Sequence, residues 1–164
     1  MRARIGASLA AVAVVLVALT SLAAPVAAGS GVPFKGNLHG AETTTGSFPI
    51  VSVHGNVTGD ATLLGKFTAE YFDTVNVVTA SGTGTWTFTA ANGDTVTAVG
   101  YGQAHLPPTN GVLSIEEHWT ITGGTGRFAG AAGSFIVERV LYIADSSTTG
   151  SFQGTISSPG ASKP

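Results

Sequence analysis

The sequence predicts an all-β domain of short antiparallel strands, arranged as a barrel or a sandwich, and three observations carry that expectation. The chain from residue 29 onward is rich in Gly, Thr and Val and poor in the Leu, Glu, Lys and Arg that build helices. No window repeats its apolar residues at the helical period of about 3.6. Strand-like runs instead follow one another at close and even spacing, separated by turn residues.

The first residues are read apart from the domain. Arg2 and Arg4 precede an apolar stretch over 9–22 that ends in small residues over 23–29. This is the layout of a secretory signal peptide spanning 1–28, with Val26 and Ala28 as the small residues of the cleavage site. The alternative, an uncleaved anchor, needs a longer apolar run than one interrupted by Thr20 and Ser21. The export signal is Ala/Val-rich and of bacterial character. No stable membrane insertion is expected after cleavage, so the protein is expected to be secreted or held at the cell envelope.

Strands are expected over 34–39, 50–57, 63–72, 74–79, 85–90, 95–103, 113–121, 134–144 and 150–156, where Val, Ile, Thr and aromatic residues concentrate. The clearest hairpin joins the runs 85–90 and 95–103 through Asn92-Gly93, because Asn-Gly supplies the positive φ angles of a tight turn. On its first strand Trp86 and Phe88 share one face and the threonines the other. Pro107 and Pro108 remove two ladder donors, so the segment around them is a surface loop. The glycine-rich run 123–135 makes a bend or bulge, with Phe128 and Phe135 anchoring its ends in the core. One domain over 29–156 is expected, followed by a disordered Ser/Pro/Gly tail over 157–164.

Charge and composition exclude several functions. Without the signal, five basic side chains stand against nine carboxylates, a net charge of −4. Such a balance lacks the basic footprint of a nucleic-acid binder. The chain contains no cysteine, which excludes disulfides, lipid-attached cysteine and thiol chemistry. The sequon Asn56-Val57-Thr58 matters only in a eukaryotic secretory pathway. No cofactor motif is present: Gly123-Gly124-Thr125-Gly126 precedes neither Lys-Ser/Thr nor a helix, and no serine sits in a nucleophile elbow.

Period-two alternation singles out two residues. Over 113–121 it places Glu117 on the face of Leu113, Ile115, Trp119 and Ile121, and over 134–143 it places Arg139 with Phe135, Val137, Leu141 and Ile143. Opposite charges on two apolar faces are expected to meet inside the domain, either as a ligand anchor or acid/base pair, or as a structural ion pair or register shift. The candidate ligand-binding residues of the interior are Glu117, Arg139, Trp86, Trp119 and Phe88, and no catalytic residue is assigned. Glu116 and His118 share the outward face, and with His39, His54 and His105 they show no metal-ligand spacing, so no metal site is expected.

The run ITGGTGRFAGAAGSF, 121–135, resembles the signature shared by plant dirigent proteins and allene oxide cyclases. Val32-Pro33-Phe34 with Leu38 is similar to an early strand of the cyclases, and TWTFTAANGD, 85–94, is similar to segments of bacterial secreted proteins of this barrel group. The resemblance implies a closed antiparallel barrel of about eight strands with an apolar cavity, in families that often form trimers. The catalytic residues of neither family carry over. The cyclases' Glu-x-Asn and Pro would fall in the signal peptide, their cavity cysteine has no counterpart, and dirigent arginines align with Ala129 and Ala132.

Three functions are therefore expected in order: a secreted, non-catalytic barrel that binds a small apolar molecule; a cyclase- or isomerase-like enzyme using Glu117 or Asp73 with Arg139; and a structural or interaction module of the envelope. If Trp86, Phe88, Trp119 and Phe135 fill the interior, the first expectation fails.

Overall fold

The computed structural model describes residues 31–157. Eight antiparallel strands follow in chain order: β1 (Val32–Ser47), β2 (Ile50–Ala61), β3 (Gly65–Asn76), β4 (Ser81–Ala90), β5 (Thr95–Ala104), β6 (Val112–Gly124), β7 (Gly133–Tyr142) and β8 (Ser147–Ile156). Each pairs with its neighbours, and β8 pairs with β1 to close the barrel, so no strand edge is left open to solvent. The expected signal peptide lies outside the described residues, as does the expected tail beyond Ser157.

The nine expected strands are eight. The expected runs 63–72 and 74–79 form one strand: Asp is a poor strand former, yet β3 passes through Asp73 without a break. Its ladder partners Val53 and Gly84 hold that backbone, and tertiary pairing overrides local preference. The strand expected over 34–39 continues through weakly β-forming residues to Ser47, since β2 pairs with it along that whole length.

The glycine-rich run behaves as expected of a bend. A single 3-10 turn, Gly126–Phe128, separates β6 from β7, and Phe128 and Phe135 are buried. Gly126 has φ +56°, and a Cβ there would overlap the carboxylate of Asp94, whose Oδ2 also lies 3.5 Å from Arg127 Nε. The bend is thereby fastened to the β4–β5 turn. A register shift between Thr97 and Ala98 against β6 supplies the bulge.

Inward residues divide the barrel into two halves. In one half Phe34, Phe67, Phe88, Phe135 and Phe152 pack against one another, with centroids of Phe34 5.0 Å from Phe152 and 5.4 Å from Phe135. Phe128, Leu64 and Ile156 complete that half, which is a filled core. The other half, toward the C-terminal end of β1, contains charged groups and a cavity.

Candidate functional site: a buried charge cluster beneath an open cavity

Five strands deliver the cluster. Arg139 on β7 donates from Nε to Glu117 Oε1 on β6 at 2.8 Å and from Nη1 to Glu42 Oε2 on β1 at 2.9 Å. The hydroxyl of Tyr71 on β3 donates to the same Glu42 oxygen at 2.6 Å, and the indole Nε1 of Trp119 donates to Glu117 Oε2 at 3.1 Å. Thr148 on β8 accepts from Arg139 Nη1 at 3.3 Å and donates to the carbonyl of Val140 at 2.9 Å. The guanidinium also lies over the Tyr71 ring, 5.1 Å from its centroid. Glu42, Glu117 and Arg139 are all buried, so their charges depend on one another and on these donors.

Glycines make room for these side chains. Gly55 is the register partner of Tyr71, Gly102 of Glu117 and Gly150 of Arg139. A Cβ at Gly55 would overlap the Tyr71 ring, and one at Gly150 would stand 2.6 Å from Arg139 Cβ. Large inward groups therefore sit over bare backbone of the next strand, as a narrow barrel taper requires.

The electrostatics follow from burial and partners. Burial alone would lower the basicity of Arg139, but the charge of Glu117, with Tyr71 and Glu42, holds it above its ordinary value. Burial raises the Tyr71 phenol, the nearby Arg139 opposes that shift, and Glu42 adds to it. Asp73 on β3 is pushed up to about 7, first by burial and then by the charge of Glu117, against the opposing pull of Arg139. Its Oδ1 has no hydrogen-bond partner among the described residues and occupies the space that a Cβ at Gly84 would fill.

Above the cluster lies a cavity of about 240 Å³, reaching the end of the barrel near Val77, Ala80 and Leu106. Its walls are largely aliphatic, with Val51, Val53, Val75, Ile115 and Leu141 among them, while Glu42, Asp73, Glu117, Trp119 and Arg139 supply its polar and aromatic lining. A concave apolar site with a few convergent polar groups has the composition of a small-molecule pocket.

The structure brings together three of the five interior residues singled out by sequence. Glu117, Arg139 and Trp119 line this cavity, whereas Trp86 and Phe88 are not among its lining residues. Trp86 stacks on Tyr71 at 4.7 Å and on Phe88 at 5.2 Å, so both aromatics are packed into the interior and give the cavity support from below. Glu42, Tyr71 and Thr148 were missed. The alternation Phe34, Leu38, Glu42 points Glu42 inward once β1 is allowed its full length.

Glu116 and His118 face outward, with Oε1 and Nε2 2.8 Å apart and the imidazole stacked on Tyr101. His39 and His54 lie on β1 and β2, bonded to Thr58 and Asn56. Among the described residues no group of three or more His, Asp and Glu side chains is placed to hold a metal.

Neither a family model nor a curated protein sequence matches the chain. Its structure is similar to that of a pterocarpan synthase dirigent protein, with a TM-score of 0.52 at 13% identity, covering 76% of this chain and 88% of that one. At that identity the likeness concerns architecture. With eight antiparallel strands closed in chain order, the chain has the fold of the dirigent and allene oxide cyclase-like barrels.

Proposed function

We propose that this chain is an exported, non-catalytic barrel that holds one small, mainly apolar molecule in its open half. The observation that carries the reading is the division of the interior: six phenylalanines fill one half, while the other keeps a cavity of about 240 Å³ over a floor of polar side chains. Taking about 30 Å³ per water, that is the volume of roughly eight waters. An eight-stranded barrel has room for one such ligand. Buried ion clusters are weak evidence for stability, since apolar replacements often stabilise. A rigid polar floor under an apolar cavity instead suits orientation of a bound molecule.

Native mass spectrometry of the protein isolated from its own host tests the reading. A bound small molecule released on unfolding supports it. Blocking the cavity by Ala104→Phe, at a lining position, is expected to abolish that adduct while leaving the fold intact. Protein that carries no adduct and binds no apolar probe overturns it.

One observation favours a second reading, an isomerase- or cyclase-like enzyme. Asp73 is pushed up to about 7 inside the cavity, the range suited to a general acid or base at neutral pH. Glu117 is engaged by Arg139 and Trp119 and is the poorer candidate. Recovery of the co-purified molecule as a mixture of isomers with wild-type protein, and as one isomer with Asp73→Asn, would establish this second reading.

A further inference from the structure

We propose that the open half of the barrel takes an apolar cation, a small primary or secondary amine whose hydrocarbon part fills the cavity and whose ammonium group pairs with Asp73. The proposal rests on the binding-barrel reading above and names the chemistry of its ligand.

The charge balance of the floor points to it. Three carboxyl groups, on Glu42, Asp73 and Glu117, line the cavity against one guanidinium, and Arg139 is the one cationic side chain among the lining residues. Arg139 is already committed through Nε to Glu117 and through Nη1 to Glu42 and Thr148. A ligand carboxylate entering here would meet an excess of negative charge. An ammonium group meets the opposite field.

Asp73 is the carboxyl group of the three with no protein donor assigned to it. Glu42 receives Tyr71 and Arg139, and Glu117 receives Trp119 and Arg139, whereas Asp73 Oδ1 has no partner among the described residues. A carboxylate oxygen held away from solvent without a donor is costly, and a cationic ligand removes that cost. The charged groups acting on Asp73 are Glu117 from β6, Arg139 from β7 and Glu42 from β1. Its register partners Val53 on β2 and Gly84 on β4 bring no titratable group. The carboxyl group near 7 must lose its proton to pair with an ammonium, so binding strengthens as pH rises through that value.

Isothermal titration of the purified protein with three probes of one shape tests this: 2-phenylethylamine, 2-phenylethanol and 3-phenylpropionate. The expected order at pH 8 is amine first, by about tenfold over the alcohol, with the carboxylate weakest. The amine is expected to bind about tenfold more weakly at pH 6 than at pH 8, following the ionised fraction of a group near 7. Asp73→Asn should erase the preference for amine over alcohol. If the alcohol or the carboxylate binds as tightly as the amine, or the amine preference is indifferent to pH, the proposal is overturned while the binding-barrel reading stands. If none of the three binds, this inference falls, and the binding-barrel reading falls with it only where the protein isolated from its own host also carries no adduct. The pH series needs no variant, so it decides even if Asp73→Asn does not fold.

Discussion

Arg139 on β7 and Glu117 on β6 meet diagonally inside the barrel, Nε to Oε1 at 2.8 Å, although the register sets Arg139 opposite Ile115 and Glu117 opposite Val137. The diagonal leaves Arg139 able to reach across the lumen to Glu42 on β1, and one guanidinium thereby ties three strands.

Removing that guanidinium leaves two buried carboxylates without their counter-charge. Arg139→Ala is expected to cost about 3–5 kcal/mol and to lower Tm by roughly 10 °C or more. Thermal and urea unfolding measure it, and unchanged stability would contradict the cluster. Combining Arg139→Met with Glu42→Gln and Glu117→Gln should recover much of the loss, because no unpaired charge remains.

Tyr71 contributes a hydroxyl to Glu42 and a ring to Trp86, and the two roles can be separated. Tyr71→Phe keeps the stack and removes a hydrogen bond to a charged acceptor, an expected cost of about 1.5–3 kcal/mol in urea unfolding. Gly55→Ala should cost about 1–3 kcal/mol by overlapping the ring. Joined to Tyr71→Leu, it should add little further loss, and strict additivity in that double-mutant cycle would show that the overlap is not the cause.

Asp73 makes stability depend on pH with a defined sign. Its folded value, about 7, lies above the ordinary 3.8, so between those values the folded state binds more protons than the unfolded state. Its contribution is favourable at low pH and is lost as pH rises from about 4 to about 7. The difference in unfolding free energy between wild type and Asp73→Asn, measured from pH 4 to pH 8, is expected to shift against wild type by up to a few kcal/mol. A flat difference would mean that Asp73 ionises normally.

The outer surface bears on assembly. Tyr101, His118 and Ile136 form one cross-strand row on β5, β6 and β7, and Tyr101 and Ile136 are exposed. The trimer implied by the resemblance is proposed to use this row. Light scattering should then give three times the monomer mass, with Tyr101→Glu/Ile136→Glu returning the monomer. A wild-type monomer at high concentration would dismiss the assembly.

Much of the strand pattern could be read from local chemistry. The Asn92-Gly93 turn, the loop around Pro107 and Pro108, and the anchoring of Phe128 and Phe135 follow from residue type and spacing. Asp73 was legible only in part: it is named as a possible acid/base partner of Arg139, yet the expected strands stop on either side of it, whereas β3 runs through it and brings it to the cavity. Glu42 was lost for a similar reason, since Gly40 and Ala41 weaken the strand signal just before it. Both residues sit where local preference yields to pairing, Asp73 flanked by β2 and β4, Glu42 paired with β2 and bonded through its N–H to the carbonyl of Ser146 just before β8.

The inward direction of Glu117 and Arg139 was settled by the two-residue period of a strand, which is a property of neighbouring residues alone. Their meeting with Glu42, which stands 97 positions from Arg139, was settled by barrel closure. Strand number and stagger decide which inward groups face each other across the lumen and whether they fill it. These are non-local quantities, and no stretch of sequence contains them. Six phenylalanines filling one half and a charged floor bounding a cavity in the other is accordingly a result of tertiary assembly.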